Sequence, residues 1–317
     1  MILSVSRRTD IPAFYSEWFM NRIREGYVYA VNPFNRKQVS SISLKPEDVE
    51  CIVFWTKDAF PIMTYLDELE ERYKFYFQFT IDGYDKDVEP GLRDKEDIQE
   101  TFIEMSKKLG KERMVWRYDP ILLNEKYTVK RHMEIFESFF ERLAPYTECC
   151  VISFIDLYEK TKRNTAPLGM KEITKEDMEA IAEGFSRISR GSGVKLQSCS
   201  EEIDLDKYGI EHGSCIDKAR IERVLGGTID IKKDPTQRAV CGCMKSVDVG
   251  SYNTCQHLCR YCYANFNEKM ARAVRENMYE PASPILCGKL HGDEKITERK
   301  AERFSVSFEK YEEASLF

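Results

Sequence analysis

Short apolar runs alternate with longer amphipathic stretches over the first 200 residues of the chain. The short runs are rich in β-branched and aromatic residues, which is typical of buried strands, and the longer stretches repeat apolar residues at helical spacing. The predicted strands are Ile2–Ser6, Cys51–Thr56, Lys74–Ile81, Met114–Tyr118, Cys149–Ile155 and Val194–Ser198. The predicted helices are Ser16–Glu25, Pro61–Tyr73, Lys95–Leu109, Val129–Leu143 and Lys175–Ser189.

This alternation predicts an α/β fold with about six strand–helix units and parallel strand pairing. The expected architecture is a partial, TIM-barrel-like parallel barrel. Beyond about residue 200 the helical pattern gives way to a turn-rich segment that is rich in cysteine. We therefore expect barrel units over residues 1–200 and a C-terminal Cys-rich segment over residues 201–317 that closes the barrel, in one integrated domain.

Polar side chains stand where the predicted strands end. In parallel α/β folds the reactive groups gather at the carboxyl ends of the strands. Loops are polar in any protein, but a charged mouth around a substrate pocket explains the whole set better. The set comprises Arg7, Arg8, Asp10, Trp55, Thr56, Lys57, Arg117, Asp119, Ser153, Asp156, Lys160, Ser200 and Glu201. The candidate catalytic residues among them are Arg117, Asp119, Lys57 and Glu201.

Composition narrows the class of protein. With 42% hydrophobic and 32% charged residues, the 317-residue chain resembles an ordinary soluble protein with a sizeable core. We expect no membrane span and a cytoplasmic location, because apolar runs are short and the N-terminus reads as a strand rather than a signal peptide. A net charge of −6 gives no support for bulk binding of nucleic acid, although it leaves room for a local basic channel.

Cysteines cluster late in the chain. Cys255, Cys259 and Cys262 follow one another at spacings of four and three, and Cys241 and Cys243 lie just upstream. Five of the 11 cysteines therefore fall within 22 residues, where an even distribution would place fewer than one. In a reducing compartment this clustering indicates metal or redox chemistry rather than disulfides.

Three kinds of site fit the spacing of Cys255, Cys259 and Cys262. A zinc site would need a fourth ligand, for which His257 or Cys243 is available. An iron–sulfur cluster normally uses four cysteines, so three would leave one iron open to another ligand, which suits catalysis. Positions i, i+4 and i+7 also share one face of a helix, where the side chains could simply pack.

The pattern Cys-x3-Cys-x-Tyr-Cys resembles the cluster loop of the radical S-adenosylmethionine (SAM) superfamily. The string from Thr254 to Ala264 is most similar to the spore photoproduct lyase-like branch. The whole chain, from Ser4–Pro12 to Ser283–Leu286, resembles domain-of-unknown-function family 1848. This resemblance implies a type of reaction but does not identify a substrate.

The resemblance implies that Cys255, Cys259 and Cys262 ligate a [4Fe–4S] cluster. SAM would occupy the open iron, and its reductive cleavage would yield a 5′-deoxyadenosyl radical. A reducing electron donor of the flavodoxin or ferredoxin type is the implied partner. The candidate cofactor-binding residues are Asp10, Arg8 and Tyr261.

The cysteine loop comes late in this chain, whereas in the superfamily it follows the first barrel strand. We therefore expect a permuted barrel, in which a strand at Ser246–Tyr252 takes the place of the first strand and Ile2–Ser6 that of the second. If the loop is instead appended outside the barrel, an electron-transfer role becomes the better hypothesis.

Four more cysteines occupy the same late region, namely Cys199, Cys215, Cys241 and Cys243. Four thiolates match the ligand set of a closed cluster or of zinc. We expect an auxiliary [4Fe–4S] cluster here, with zinc and unligated cysteines, one of them a radical-relay thiol, as alternatives.

Three functional hypotheses follow. The first is a radical SAM enzyme that acts on a small-molecule or macromolecular substrate. The second is an enzyme of nucleic-acid lesion repair or modification, in which Trp55, Lys57, Trp116 and Arg117 would stack on and clamp a base. The third is a non-catalytic iron–sulfur or zinc protein.

Overall fold

An eight-stranded, wholly parallel sheet forms the centre of the computed structural model, which describes residues 1–307. Its strands are β1 (Ile2–Val5), β4 (Cys51–Thr56), β5 (Phe75–Thr80), β6 (Met114–Ile121), β7 (Cys149–Phe154), β8 (Lys195–Cys199), β9 (Glu211–Gly213) and β11 (Val247–Asp248). Their spatial order in the sheet is β11-β1-β4-β5-β6-β7-β8-β9.

Two smaller sheets lie outside the central one. One consists of β2 (Tyr27–Asn32), β3 (Asn35–Ser43) and β12 (Lys295–Arg299), and the other pairs β10 (Thr228–Ile229) with β13 (Val306–Ser307). The helices are α1 (Ile11–Phe14), α2 (Ser16–Glu25), α3 (Leu66–Arg72), α4 (Lys95–Leu109), α5 (Val129–Leu143), α6 (Glu159–Thr165), α7 (Lys175–Ser189), α8 (Lys218–Leu225) and α9 (Glu268–Met278). No helix within residues 1–307 combines the length and the apolar content needed to cross a bilayer.

The predicted α/β fold with parallel strands is confirmed. All six predicted strands are present, and two short strands from the C-terminal segment extend the sheet at its two edges. At one edge, Leu3 pairs with Val247 and Ser4 with Asp248, so the late strand lies beside β1 as expected. Strand pairing within residues 1–307 does not join β9 to β11, so the sheet is parallel without being closed into a barrel.

Helix boundaries follow the local sequence. Asp10 caps α1 and Thr128 caps α5, each through a side-chain oxygen that accepts a backbone N–H of the first turn. Thr174 and Asp177 form a reciprocal capping box at the start of α7. The predicted helix at Pro61–Tyr73 is too long, because Phe60–Tyr65 forms a 3₁₀ segment before α3 begins.

Side chains alternate between the two faces of the central sheet. One face packs against the helices through aromatic contacts: the Phe54 ring centroid lies 5.6 Å from that of Phe19 in α2, and the Trp116 centroid lies 5.2 Å from that of Phe136 in α5. The opposite face carries a second apolar cluster, in which residues of the strands pack against Cys215, Ile216, Cys241 and Cys243. The C-terminal segment therefore covers this inner face of the sheet.

Candidate functional site

The three-cysteine motif lies in a loop directly after the edge strand β11, and we call residues 249–267 the cysteine loop. Asp248, at the end of β11, accepts hydrogen bonds from the Ser4 and Ser6 hydroxyls at 2.9 and 2.7 Å. Its carboxylate also accepts the backbone N–H of Arg7 at 2.8 Å. These bonds attach the start of the cysteine loop to β1, so the loop emerges at the carboxyl ends of the parallel strands.

Cys255, Cys259 and Cys262 are half-buried neighbours in this loop. Burial raises the pKa of Cys255, and the neighbouring Cys262 adds to the increase. Burial and the Glu89 carboxylate raise the pKa of Cys259, with smaller contributions from Cys255 and Cys262. The Cys262 sulfur accepts the backbone N–H of Ala264 at 3.3 Å. These shifts favour neutral thiols, so metal binding would release protons.

Asp10 joins the cysteine loop to two strand ends. One carboxylate oxygen caps α1 by accepting the Ala13 N–H at 2.9 Å. The other accepts the Thr56 hydroxyl at 3.1 Å and the Lys57 N–H at 2.7 Å, and it lies 2.8 Å from Nε2 of His257. The Asp10 oxygens are thus occupied by protein donors, while Nδ1 of buried His257 has no hydrogen-bond partner among the described residues. A SAM contact through Asp10 stays a prediction.

The other two candidate cofactor-binding residues also lie at the cysteine loop. The Tyr261 side chain is buried, and its hydroxyl donates to Asp82 at 3.3 Å and to Glu89. The Arg8 guanidinium lies 5.2 Å from the centroid of the Tyr252 ring and 3.5 Å from the Gly250 carbonyl oxygen.

Lys57 belongs to a buried group of charges beneath the loop that the sequence analysis missed. Its Nζ atom lies 2.7 Å from both Asp82 and Glu89, and Lys95 pairs with the same two carboxylates. Burial and the Glu89 charge raise the pKa of Asp82. Burial alone would raise the pKa of Glu89, but Lys57 and Lys95 hold it well below its usual range. Asp82 lies two residues after β5, so its place near a strand end was the available signal.

The second group of cysteines is also brought together. The Cys199 and Cys215 sulfurs are 3.0 Å apart, Cys215 contacts Cys243, and Cys243 contacts Cys241. The contacts thus run in series along the inner face of the sheet. The contact with Cys215 lowers the pKa of Cys199 to about 7.

Arg117 and Asp119 lie beside this second group. Nη1 of Arg117 donates to the Cys215 sulfur at 3.0 Å, and Nε donates to Asp119 at 2.9 Å. Burial would raise the pKa of Asp119, yet the Arg117 charge, with hydrogen bonds from Ser153 and Arg117, lowers it. Lys57 also contributes to that lowering. Cys199 ends β8 and the cysteine loop follows β11, so both cysteine groups lie at the carboxyl ends of the parallel strands.

Glu201 lines an open groove of about 1000 Å³. One of its oxygens accepts the Phe154 N–H at 2.9 Å, and burial raises its pKa to about 8. Asp156 and Arg238, which pair at 2.8 Å, line the same groove. Glu201 can therefore hold a proton near neutral pH.

The residues expected to clamp a base do not all lie on one face of the sheet. Trp116 is fully buried against α5 on the helix-covered face. Trp55 and Arg117 lie on the inner face, where the guanidinium is 5.6 Å from the indole centroid. Trp116 is therefore a core residue, and the prediction that it stacks on a base is wrong.

Within residues 1–307, no three Cys, His, Asp or Glu side chains converge in the arrangement of ligands around a single metal ion. Nε2 of His257 is occupied by Asp10, whereas its Nδ1 has no hydrogen-bond partner among the described residues. The described part of the chain thus has no preformed single-ion site, and the metal assignments stay predictions.

Comparisons with known proteins identify the family. Curated proteins give no significant match. One similar solved structure, a candidate alpha-L-fucosidase from Bacteroides thetaiotaomicron, has 12% identity and a TM-score of 0.26 over 51% of this chain and 68% of that one. A similarity this weak carries no argument about fold or function. The profile of one family matches residues 2–264, and the chain therefore belongs to the family described as domain of unknown function (DUF1848).

Proposed function

We propose that this chain is a radical SAM iron–sulfur enzyme. One observation carries the proposal: the Cys-x3-Cys-x-Tyr-Cys motif occupies a loop at the carboxyl end of an edge strand, with its three thiols half-buried. Three thiolates are one fewer than a closed cluster uses, so one iron would accept a further ligand. The carboxyl ends of parallel strands are also where reactive groups gather in such folds.

The residues present fit a [4Fe–4S] cluster. Cys255, Cys259 and Cys262 would hold it, and the Ala264 N–H bonded to the Cys262 sulfur is the kind of hydrogen bond that supports a thiolate ligand. When bound, the cluster and SAM would supply a one-electron reduction that yields a 5′-deoxyadenosyl radical. The cysteine ligands of a four-iron cluster lie farther apart than the ligands of one metal ion. The lack of a single-ion site within residues 1–307 therefore does not argue against a cluster.

The protein's own residues would position the cofactors and exclude water. Asp10 fixes the loop through His257, and the buried Tyr261 lies under it. Arg117 and Asp119 offer a buried, charged contact for a substrate, and Glu201 can hold or give up a proton at the groove. A donor of the flavodoxin or ferredoxin type would supply the electron.

The strand order supports a permuted, TIM-barrel-like arrangement. The late strand β11 pairs with β1 at the edge of the sheet, and the cysteine loop follows β11 in the chain. This order is expected if β11 takes the place of a first barrel strand and β1 that of the second. The same order argues against a loop appended outside the sheet.

We also propose an auxiliary cluster at Cys199, Cys215, Cys241 and Cys243. Their contacts in series gather four thiols in one region, which matches the ligand count of a closed site. Zinc and a radical-relay thiol are the alternatives for this group.

Anaerobic purification and reconstitution test the main proposal. We expect iron and sulfide in cluster stoichiometry and an electron paramagnetic resonance signal of the reduced protein that changes when SAM is added. Stoichiometric zinc with no iron would contradict the proposal. A cluster whose signal SAM leaves unchanged would instead support a non-catalytic iron–sulfur protein.

A nucleic-acid substrate has one observation in its favour. Tyr263 and Phe266 are exposed residues of the cysteine loop, and the Arg163 guanidinium lies 4.3 Å from the Phe266 centroid. Exposed rings next to basic groups can stack on unpaired bases. Salt-sensitive binding of single-stranded DNA or RNA, measured by fluorescence anisotropy, would support lesion repair or modification, and its absence would reject it.

A further inference from the structure

A buried group of four charges lies directly beneath Cys259. We call Lys57, Asp82, Glu89 and Lys95 the charge group. The side chains of Asp82 and Glu89 are 1% and 0% exposed, and those of Lys57 and Lys95 are 14% and 19% exposed. Two ammonium groups thus balance two carboxylates in a largely dehydrated place.

Glu89 is the member that connects the charge group to the cysteine loop. Its Oε1 atom lies 2.7 Å from Lys57 Nζ and 3.7 Å from the Cys259 sulfur. The same oxygen accepts the Tyr261 hydroxyl, and the Lys57 ammonium lies 5.4 Å from the Tyr261 ring centroid. One negative and one positive charge therefore lie close to the sulfur of one candidate ligand.

Burial of such a group is a poor way to stabilise a fold. The desolvation of paired charges offsets most of their attraction, and apolar residues of similar size often stabilise a protein as well or better. The charge group therefore calls for a role beyond stability. Charges in a dehydrated site act strongly on any neighbouring group whose own charge changes, because the effective dielectric constant is low.

We propose that Glu89 and Lys57 are positioning residues whose opposed charges set how readily a cluster held through Cys259 accepts an electron. The inference rests on the proposed function, since it needs the cluster. Reduction adds one negative charge to the cluster, which a nearby carboxylate opposes and a nearby ammonium favours. Cluster potentials respond to net charge and hydrogen bonds of this kind.

Two substitutions of opposite sign test the inference. Glu89→Gln keeps the shape of the side chain and its ability to accept from Tyr261, but it removes the negative charge. Lys57→Met keeps the length of the side chain and removes the positive charge. The measurement is the midpoint potential of the reconstituted cluster, from an anaerobic redox titration followed by electron paramagnetic resonance.

We expect Glu89→Gln to shift the midpoint potential upward and Lys57→Met to shift it downward. The double variant should return toward the wild-type value. Glu70→Gln is the matched control, because Glu70 pairs with Arg113 at 2.7 Å just before β6, at the opposite end of the strands from the cysteine loop. This control should leave the potential unchanged.

A purely structural role predicts a different pattern. Shifts of the same sign in both variants, or no shift in either, would overturn the inference while the proposed function stands. If Lys57→Met does not fold, Lys95→Met takes its place, since Lys95 pairs with Glu89 from the other side and a smaller downward shift is expected. A wild-type protein that takes up no iron would overturn the proposed function itself, together with this inference.

Discussion

Asp10 is the single residue on which the cysteine loop depends most directly. Its carboxylate receives four hydrogen bonds, from the first turn of α1, from the end of β4 and from His257. Hydrogen bonds to an ionised group are stronger than neutral ones. The loop and two strand ends are therefore fixed by one side chain.

Asp10→Asn should weaken this junction, because an amide has one fewer acceptor oxygen and no charge. We expect a loss of about 2 kcal/mol in the free energy of unfolding, the typical contribution of a hydrogen bond to a charged group. Iron occupancy should fall at the same time. Urea denaturation and iron analysis check this, with the exposed Asp67→Asn as control. Unchanged values for both quantities would contradict the assigned role.

His132 provides a pH-dependent contribution to stability that is independent of the candidate site. It is buried between the Tyr118 hydroxyl at 2.8 Å and the Leu122 carbonyl oxygen at 2.9 Å, near the rings of Tyr84 and Tyr127. Burial lowers its pKa to about 4 from the usual 6.5. Between these values the unfolded chain binds the extra proton, so stability falls as the pH falls.

We expect His132 to contribute a loss of about 3 kcal/mol as the pH drops from 6.5 to 4, from 1.36 kcal/mol per unit of pKa. Carboxylates titrate over part of the same range, so the informative quantity is the difference between the wild-type protein and His132→Gln. Urea unfolding at several pH values measures it. Parallel pH profiles of the two proteins would show that His132 makes no such contribution.

At the scale of elements, the segment after β5 supports the cysteine loop through its backbone. The Gly91 N–H donates to the His257 carbonyl at 3.0 Å, and the Arg260 N–H donates to the Val88 carbonyl at 2.9 Å. A Cβ atom at Gly91 would lie 2.2 Å from the Gln256 carbonyl oxygen. Only glycine allows the two segments to approach this closely.

Gly91→Ala should therefore displace the cysteine loop. We expect iron occupancy of the reconstituted protein to fall at least severalfold, together with a destabilisation of about 1–3 kcal/mol, which is usual for a steric clash. Gly191→Ala is a suitable control, because Gly191 has φ +78° and open space, so alanine there strains the backbone without touching the loop. Equal iron occupancy in the two variants would contradict the prediction.

The sequence predicted the regular elements better than the contacts between them. The six long strands have buried apolar runs that reveal them, whereas β9 and β11 have three and two residues and carry no periodic signal of their own. The position of β11 followed from the resemblance of the cysteine loop. The sequence shows Asp82 near a strand end, but Glu89 lies on a connection and Lys95 at a helix start. Only the folded chain shows that all three meet Lys57.

At the scale of the whole molecule, the C-terminal segment contributes to both edges of the sheet and covers its inner face. Both cysteine groups belong to this arrangement, one in the loop after β11 and one against Arg117. The sequence analysis predicted that Cys199, Cys215, Cys241 and Cys243 form one group, and these four residues lie in contact. Closure of the barrel was also predicted, but the edge strands do not pair within residues 1–307.

Iron content separates the two cysteine groups. If both bind four-iron clusters, the reconstituted wild-type protein should hold about eight irons, four per cluster. Cys243→Ala should then remove about half of them and leave the SAM-dependent spectroscopic change. If Cys243→Ala instead loses zinc and keeps its iron, the second group is a zinc site. If Cys243→Ala keeps the wild-type iron content and neither protein contains zinc, the second group consists of unligated thiols.

The central claim is most directly tested by the formation of 5′-deoxyadenosine. The reconstituted protein is incubated anaerobically with SAM and dithionite, and the products are quantified by liquid chromatography with mass spectrometry. We predict that the wild-type protein forms 5′-deoxyadenosine and methionine well above the level of Cys255→Ala. Equal, background amounts from the two proteins, with the cluster present in the wild type, would contradict a radical SAM function.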